Sequence, residues 1–439
     1  MSQQNYDTTD VFGVKSKIIQ SYIERERVDL AFQSAIEDGN QVIIYGSSKQ
    51  GKTSLLLKNL DESEYIKVEC APPSTCIDIY KSILRQLGVQ FVEFETTGTR
   101  SQGEVNGTAG VKIKIPVIAE IGFDAGGKSS DEKSASETIR NVEYNLALAQ
   151  DITEILKAQE PSKEKRKYLV LENFHYLSQE TQKALAYDLR VFQDQGIIFI
   201  ILGIWREANR LVQYNGDLVD RITEIPVEPW TVDDFKKVIN KGSEALNVDF
   251  SHVQDELISN SFDSIGVIQE ICKHCCFEAD VFSTSPKKIY ITHDNLECAI
   301  KKKTDDYATR HIRSFESFAT IARKKSNQSG ELSLAFPYYL IKVLLTADFR
   351  NIEQGLSRAE LLDKIRENHH RAEDVRSGDL GAFLHGITQH QLSKQIQPPF
   401  VDYDRGAKKL KIIDSTLYFF LKNCDKEEIL DDIPNPLET

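Results

Sequence analysis

The sequence predicts an α/β fold: a parallel sheet with helices on both faces, then a helical unit, then a terminal unit of helices and a β-hairpin. Three observations lead there. An apolar strand at 42–45 runs through a glycine-bounded turn into a helix at 52–60. Strands and helices then alternate to about residue 230, the pattern of a parallel sheet. After Pro229 and Trp230 the apolar spacing becomes helical, and two short strands return only near residue 400.

The elements follow in order. Residues 17–38 carry Ile18, Ile19, Tyr22, Ile23, Leu30, Ala31 and Ala35 at helical spacing. Residues 65–69 alternate as a second strand, and 77–87 form an amphipathic helix. Residues 95–135 are rich in Gly, Ser and Thr around two apolar runs, 111–115 and 117–123, separated by Pro116. They predict an inserted β-hairpin or ribbon, either a surface ornament or a contact arm. Ser134 and Glu137 have capping-box spacing and predict a helix to about residue 159. A strand at 168–171, a helix at 178–194 and a strand at 197–202 complete the alternation.

Helices are expected at 232–246, 252–261, 265–280, 293–303 and 306–324. A polar linker follows at 324–330. Helices at 335–347, 357–369 and 379–393, strands at 399–403 and 409–413 joined through Asp404, Arg405, Gly406 and Ala407, and a last helix from Ser415 outline a winged helix. The expected division is a core at 1–230 with the 95–135 insertion, a helical lid at 231–325, a winged-helix domain at 331–425 and an acidic tail at 426–439.

Composition sets bounds. The 439 residues fit two or three domains, with 40% apolar residues for a core. No apolar run approaches the length of a membrane span, and the polar start lacks a signal-peptide layout, so a cytoplasmic protein without membrane contact is expected. Seven scattered cysteines argue against a disulfide framework. Cys272, Cys275 and Cys276 continue the spacing of Ile268 and Ile271 and read as a buried helix face rather than a metal site. The net charge of −13 gives no global attraction to nucleic acid, although residues 287–325 hold ten Lys/Arg against five Asp/Glu.

The chemistry lies at 46–53. Gly46, Ser47, Ser48, Lys49, Gln50, Gly51, Lys52 and Thr53 match GxxxxGK[ST] at every fixed position, between a strand and a helix. Glycines let backbone N–H groups wrap a phosphate chain, and the following helix points its positive end at the same anion. Lys52 would reach the β- and γ-phosphates, the Thr53 hydroxyl would ligate Mg²⁺, and Ser54 completes the nucleotide-binding stretch. The ligands expected are ATP and Mg²⁺. The strand at 168–171 ends in Glu172, a carboxylate suited to the Mg²⁺ shell. Asn173 follows where many such enzymes place a water-activating acid, and an amide cannot accept that proton.

The phosphate loop, residues 169–177, the strand at 197–202 and the stretch 226–231 resemble an AAA+ or STAND-type P-loop ATPase. The nearest likeness is to the archaeal-ATPase and origin-initiator branch, whose core ends in a winged helix. The resemblance covers residues 10–425 apart from 95–135. It implies a P-loop NTPase core with a helical lid subdomain and a C-terminal winged-helix domain, and catalytic roles for Lys52, Glu172 and Asn173. It implies a γ-phosphate sensor at Arg221, acting across a subunit interface, with Arg206 a weaker sensor candidate. Residues 22–27 resemble the stretch beside the adenine base. Asn173, and the lack of an arginine in the 265–280 helix, depart from the pattern and imply slow hydrolysis.

Three functions follow as expectations. The first is a nucleotide-dependent switch or assembly, a homo-oligomer or the partner of a separate effector protein, with prokaryotic antiphage defence as its setting. The second is a DNA-binding initiator or loader, with His385, Gln389, His390 and Gln391 on the reading helix and Arg405, Lys408, Lys409 and Lys411 on the wing. The third is a scaffold with an inactive nucleotide site.

Overall fold

A computed structural model describes residues 4–95, 111–119, 138–159, 168–320 and 334–435. Its centre is a five-stranded parallel sheet. Across it lie Tyr65–Glu69, Tyr168–Glu172, Phe199–Ile204, Gln41–Gly46 and Ile222–Pro226. Both faces of the middle strands are covered, so Gln41–Gly46, Tyr168–Glu172 and Phe199–Ile204 are mainly apolar, while the edge strand Tyr65–Glu69 alternates. One face gives Ile43, Tyr45, Leu169, Leu171 and Ile201 to a core closed by Ile79, Ile83, Leu185, Leu189 and Phe192. The other gives Val42, Ile44, Val170, Ile200 and Leu202 to a core closed by Val28, Phe32, Leu55 and Leu56.

Several sequence expectations are corrected here. The helix expected at 17–38 begins only at Glu26 (Glu26–Glu37), where Asp29 accepts the Arg25 N–H at 2.7 Å. Upstream the chain is a helical turn, Thr8–Val11, followed by bends and turns. Thr8 bonds the backbone of Phe282 and Val281, and Ser21 bonds Val11 and Gln269. These tertiary bonds replace a helix, and Ile19, Tyr22 and Ile23 line a cleft instead.

The capping box at Ser134 starts no helix over 138–145. Thr138–Asn145 is a strand, and the helix is Ala149–Ala158. Strand Val111–Ala119 runs through Pro116 and pairs antiparallel with both Thr138–Asn145 and Val92–Glu95. The expected ribbon is thus one strand of a three-stranded sheet whose other strands flank the insertion. That ladder supplies the pairing that made strand the stable state at 138–145. The segments 96–110 and 120–137 lie outside the described residues.

The strand expected at 197–202 is Phe199–Ile204. The two helices expected between 293 and 324 are one, His293–Ala319. The helix expected at 379–393 breaks at Gly386 into Ser377–His385 and Ile387–Ser393. Part of the expected acidic tail is a helix, Lys426–Asp432, with Ile429 and Ile433 buried. Strands Leu356–Ser357, Lys409–Ile412 and Val401–Asp404 form a small antiparallel sheet. Cys272, Cys275 and Cys276 are fully buried in helix Ile265–Glu278, within a core that runs on through Phe315 and Phe318 to Phe400 and Phe419. Among the described residues no helix is long and apolar enough to cross a membrane.

Candidate functional site

The loop at 46–53 leaves the carboxyl end of the central strand, where an open parallel sheet places its ligands. Its backbone is left-handed at Gly46 (φ 151°), Lys49 (φ 59°) and Gly51 (φ 86°). A Cβ on Gly46 would lie 2.7 Å from the Val227 side chain, so only glycine fits. Gly51 caps helix Lys52–Asn59, whose first amides have no acceptor within the helix and open onto the loop. These features suit a polyphosphate.

Lys52 lies folded under the loop. Its Nζ donates to the carbonyls of Gly46 at 3.1 Å and Ser47 at 2.6 Å. Burial pushes its ammonium down to about 8, against the pull of the Glu228 and Glu172 carboxylates. An added anion would raise that value again. Affinity for a polyphosphate held by Lys52 would therefore be full below about pH 8 and fall as pH rises, roughly tenfold per unit until the pKa of the complex is reached. Titration calorimetry at pH 7.5 and 9.5 should show this loss, with net proton uptake on binding at the higher pH. Equal affinities at both would contradict it.

Thr53 and Glu172 come together, with Thr53 Oγ1 donating to Glu172 Oε1 at 2.9 Å. Lys67 holds the other Glu172 oxygen at 3.0 Å. A hydroxyl and a carboxylate at one point are the oxygen donors that Mg²⁺ takes, so the residues present fit the cation. Asn173 follows in a left-handed turn (φ 58°), and its Nδ2 donates to Glu69 Oε2 at 2.9 Å. His175 is buried just beyond it, and burial pushes its imidazole down to about 3, so it stands neutral.

Arg221 is not brought here. It precedes strand Ile222–Pro226 at the level of Gln41, about five strand residues, roughly 16 Å, from the loop. Its guanidinium pairs with Asp194. Arg206 does reach the loop. Strand Phe199–Ile204 stands between the loop strand and the Glu172 strand, so a residue just past its end arrives between them. Arg206 Nε donates to Ser47 Oγ at 2.7 Å, and Nη2 meets Glu228 Oε1 at 2.8 Å.

Two parts of the site escape sequence reading. One is Glu228, whose Oε2 accepts the Ser47 N–H at 2.7 Å and whose Oε1 accepts from Gln50 Nε2 at 3.2 Å. The pairing of Pro226 with Tyr45 sets it level with the loop, which sheet order alone reveals. The other is the C-terminal contact. The Ser48 N–H donates to the Ile413 carbonyl at 2.9 Å. The Ser415 hydroxyl donates to the Ser48 carbonyl at 2.9 Å, and Ser48 Oγ bonds Asp414 Oδ1 at 3.2 Å. Lys49 abuts Gly266, where a Cβ would lie 2.6 Å from the Lys49 Cβ.

Beside the loop opens a cleft. Ile19, Tyr22, Ile23, Val238 and Ile265 give it an apolar wall, and Lys52, Thr53 and Ser54 its polar end. An aromatic base fits the first and phosphates the second. Of the stretch 22–27, Tyr22, Ile23 and Arg25 line this cleft, with Arg25 stacked 3.7 Å over Trp230.

Loop, sheet order and carboxylate strand together define a P-loop nucleotide-binding fold of the AAA+ kind. No family model matches the chain, and no curated protein does either. Among solved structures it is similar to the Orc1 protein of Aeropyrum pernix, solved in complex with DNA, at 11% identity and TM-score 0.44 over 98% of each chain. It is similar to a Walker-type ATPase of Pyrococcus abyssi at 11% identity and TM-score 0.46, over 91% of this chain and 96% of that one. The RuvB Holliday junction branch migration motor of Thermotoga maritima matches at 12% identity and TM-score 0.38, over 91% and 94%.

Proposed function

We propose that the chain binds MgATP at 46–54, hydrolyses it slowly and acts as a switch. The observation that carries this is the meeting of Thr53 and Glu172 at 2.9 Å beneath the loop. The Mg²⁺ would draw charge from the phosphates and fix their geometry. The chain's own residues then divide the work. Lys52 supplies a mobile cation, Thr53 and Glu172 the metal donors, and the loop amides the cradle. Asn173 can orient a water but takes no proton. Glu172 is the acid at the Thr53 side of the loop, and Lys67 pairs with it at 3.0 Å.

The Ser48 contact with Ile413 and Ser415 supports the switch, because any movement of the loop tip must be felt by the C-terminal elements. The setting read from the sequence, a separate effector or a homo-oligomer in prokaryotic defence, belongs to this proposal. So does a role for Arg221 toward a second copy.

DNA binding is the second reading. The helices and hairpin of 336–412 support a winged-helix outline, but the side chains disfavour nucleic acid. Gln391 is fully buried and bonds the backbone of Phe400 and Val401. His390 packs on Phe318. Lys411 pairs with Asp404, Lys409 bonds the Gln354 carbonyl and Arg405 the His385 carbonyl. Lys303 and Arg310 are likewise paired within the chain. Phosphate contacts need cations that are free to leave such bonds.

The test is MgATP binding and turnover on wild type and Glu172→Gln. Wild type should bind and turn over slowly. Glu172→Gln should still bind nucleotide, with turnover at least roughly tenfold lower, as removal of a metal-holding carboxylate does. Undiminished turnover in the variant would remove Glu172 from the site.

A further inference from the structure

We propose that Glu228 is a specificity-determining residue: it occupies the terminal-phosphate end of the loop and makes the site favour a nucleoside diphosphate over a triphosphate. This rests on the nucleotide reading above and deepens it.

The geometry is that of an anion already in the cradle. One Glu228 oxygen takes a loop amide, Ser47 N–H, at 2.7 Å. The other takes a guanidinium at 2.8 Å and a side-chain amide, Gln50 Nε2, at 3.2 Å. Backbone N–H, arginine and amide are the donors that phosphate oxygens use. Lys52 binds the carbonyls of Gly46 and Ser47 on this same turn, and Glu228 leads the opposing charges acting on it. In this class of site that lysine grips the β- and γ-phosphates. The carboxylate therefore lies where the terminal phosphate's negative charge would come. The side chain of Glu228 is mostly buried (16% exposed), so water screens the repulsion poorly.

The same network reaches the C-terminal elements. Arg206 Nη1 donates to the Tyr418 hydroxyl at 3.4 Å, and the guanidinium stands 5.6 Å from the Tyr418 ring. Tyr418 belongs to helix Ser415–Asn423, whose start holds Ser48. With Glu228 as its partner, Arg206 sits between Ser47 and Tyr418 and ties loop to helix. A terminal phosphate offers Arg206 a stronger anion, and its turning there loosens both Ser47 and Tyr418.

Calorimetry on the full chain with MgADP and a non-hydrolysable MgATP analogue tests this. Wild type should bind the diphosphate at least about tenfold more tightly, a lower bound for one like charge a few ångströms away at a mostly buried site. Glu228→Gln should bring the two affinities close to equal, mainly by tightening the triphosphate. A wild type that prefers the triphosphate, or an unchanged ratio in Glu228→Gln, would overturn the assignment. If the variant fails to fold, the wild-type ratio decides. Failure of wild type to bind either nucleotide would instead remove the nucleotide site itself.

Discussion

Replacing Lys52 by alanine is expected to weaken MgATP binding by about 100-fold, the value of a charge-assisted bond lost. The fold should survive, because the change removes an ammonium whose burial is already unfavourable. Two carbonyls, Gly46 and Ser47, lose a donor, a cost that water in the cleft offsets. Wild type should therefore gain thermal stability on adding nucleotide, and the variant should show the same melting without nucleotide and little gain with it. Tight binding retained in Lys52→Ala would refute the site.

The second large effect is expected at Asp414. Its side chain is 1% exposed. It caps helix Ser415–Asn423 through the Thr416 N–H, accepts from the Thr416 hydroxyl, bonds Ser48 and pairs with Arg310. Asp414→Ala removes a cap worth about 1 kcal/mol and leaves a partly buried guanidinium without its anion, together roughly 2–4 kcal/mol. The loss should appear first where the loop is held. Amide hydrogen exchange at Ser48 should accelerate by about 30-fold or more, while the central sheet stays protected. Unchanged exchange at Ser48 would mean that the loop tip does not depend on Asp414.

The phosphate loop and Glu172 were legible because their chemistry needs adjacent residues, and adjacency is what a sequence displays. The strands failed where tertiary partners decided the state. Residues 138–145 carry a helix-start signal just upstream, yet Val111–Ala119 offers a ladder that a helix could not use. Residues 17–25 have helical spacing, but their apolar side chains face a cleft. Arg206 was named from its place past a strand, while its partners were not. Glu228 reaches Ser47 only because Ile222–Pro226 lies beside Gln41–Gly46, and Ser48 meets Asp414 across 366 residues of chain. Sheet direction likewise sets Arg221 at the end of the sheet away from its own chain's loop.

The helix His293–Ala319 has 27 residues, about 40 Å at 1.5 Å per residue. Along it Lys303 grips Glu270, His311 and Arg310 hold Thr416, and Phe315 and Phe318 seat Phe400. Such a strut cannot bend at one contact without moving the others. The hairpin side and the helix Ile265–Glu278, whose start lines the cleft, are therefore braced by one continuous rod.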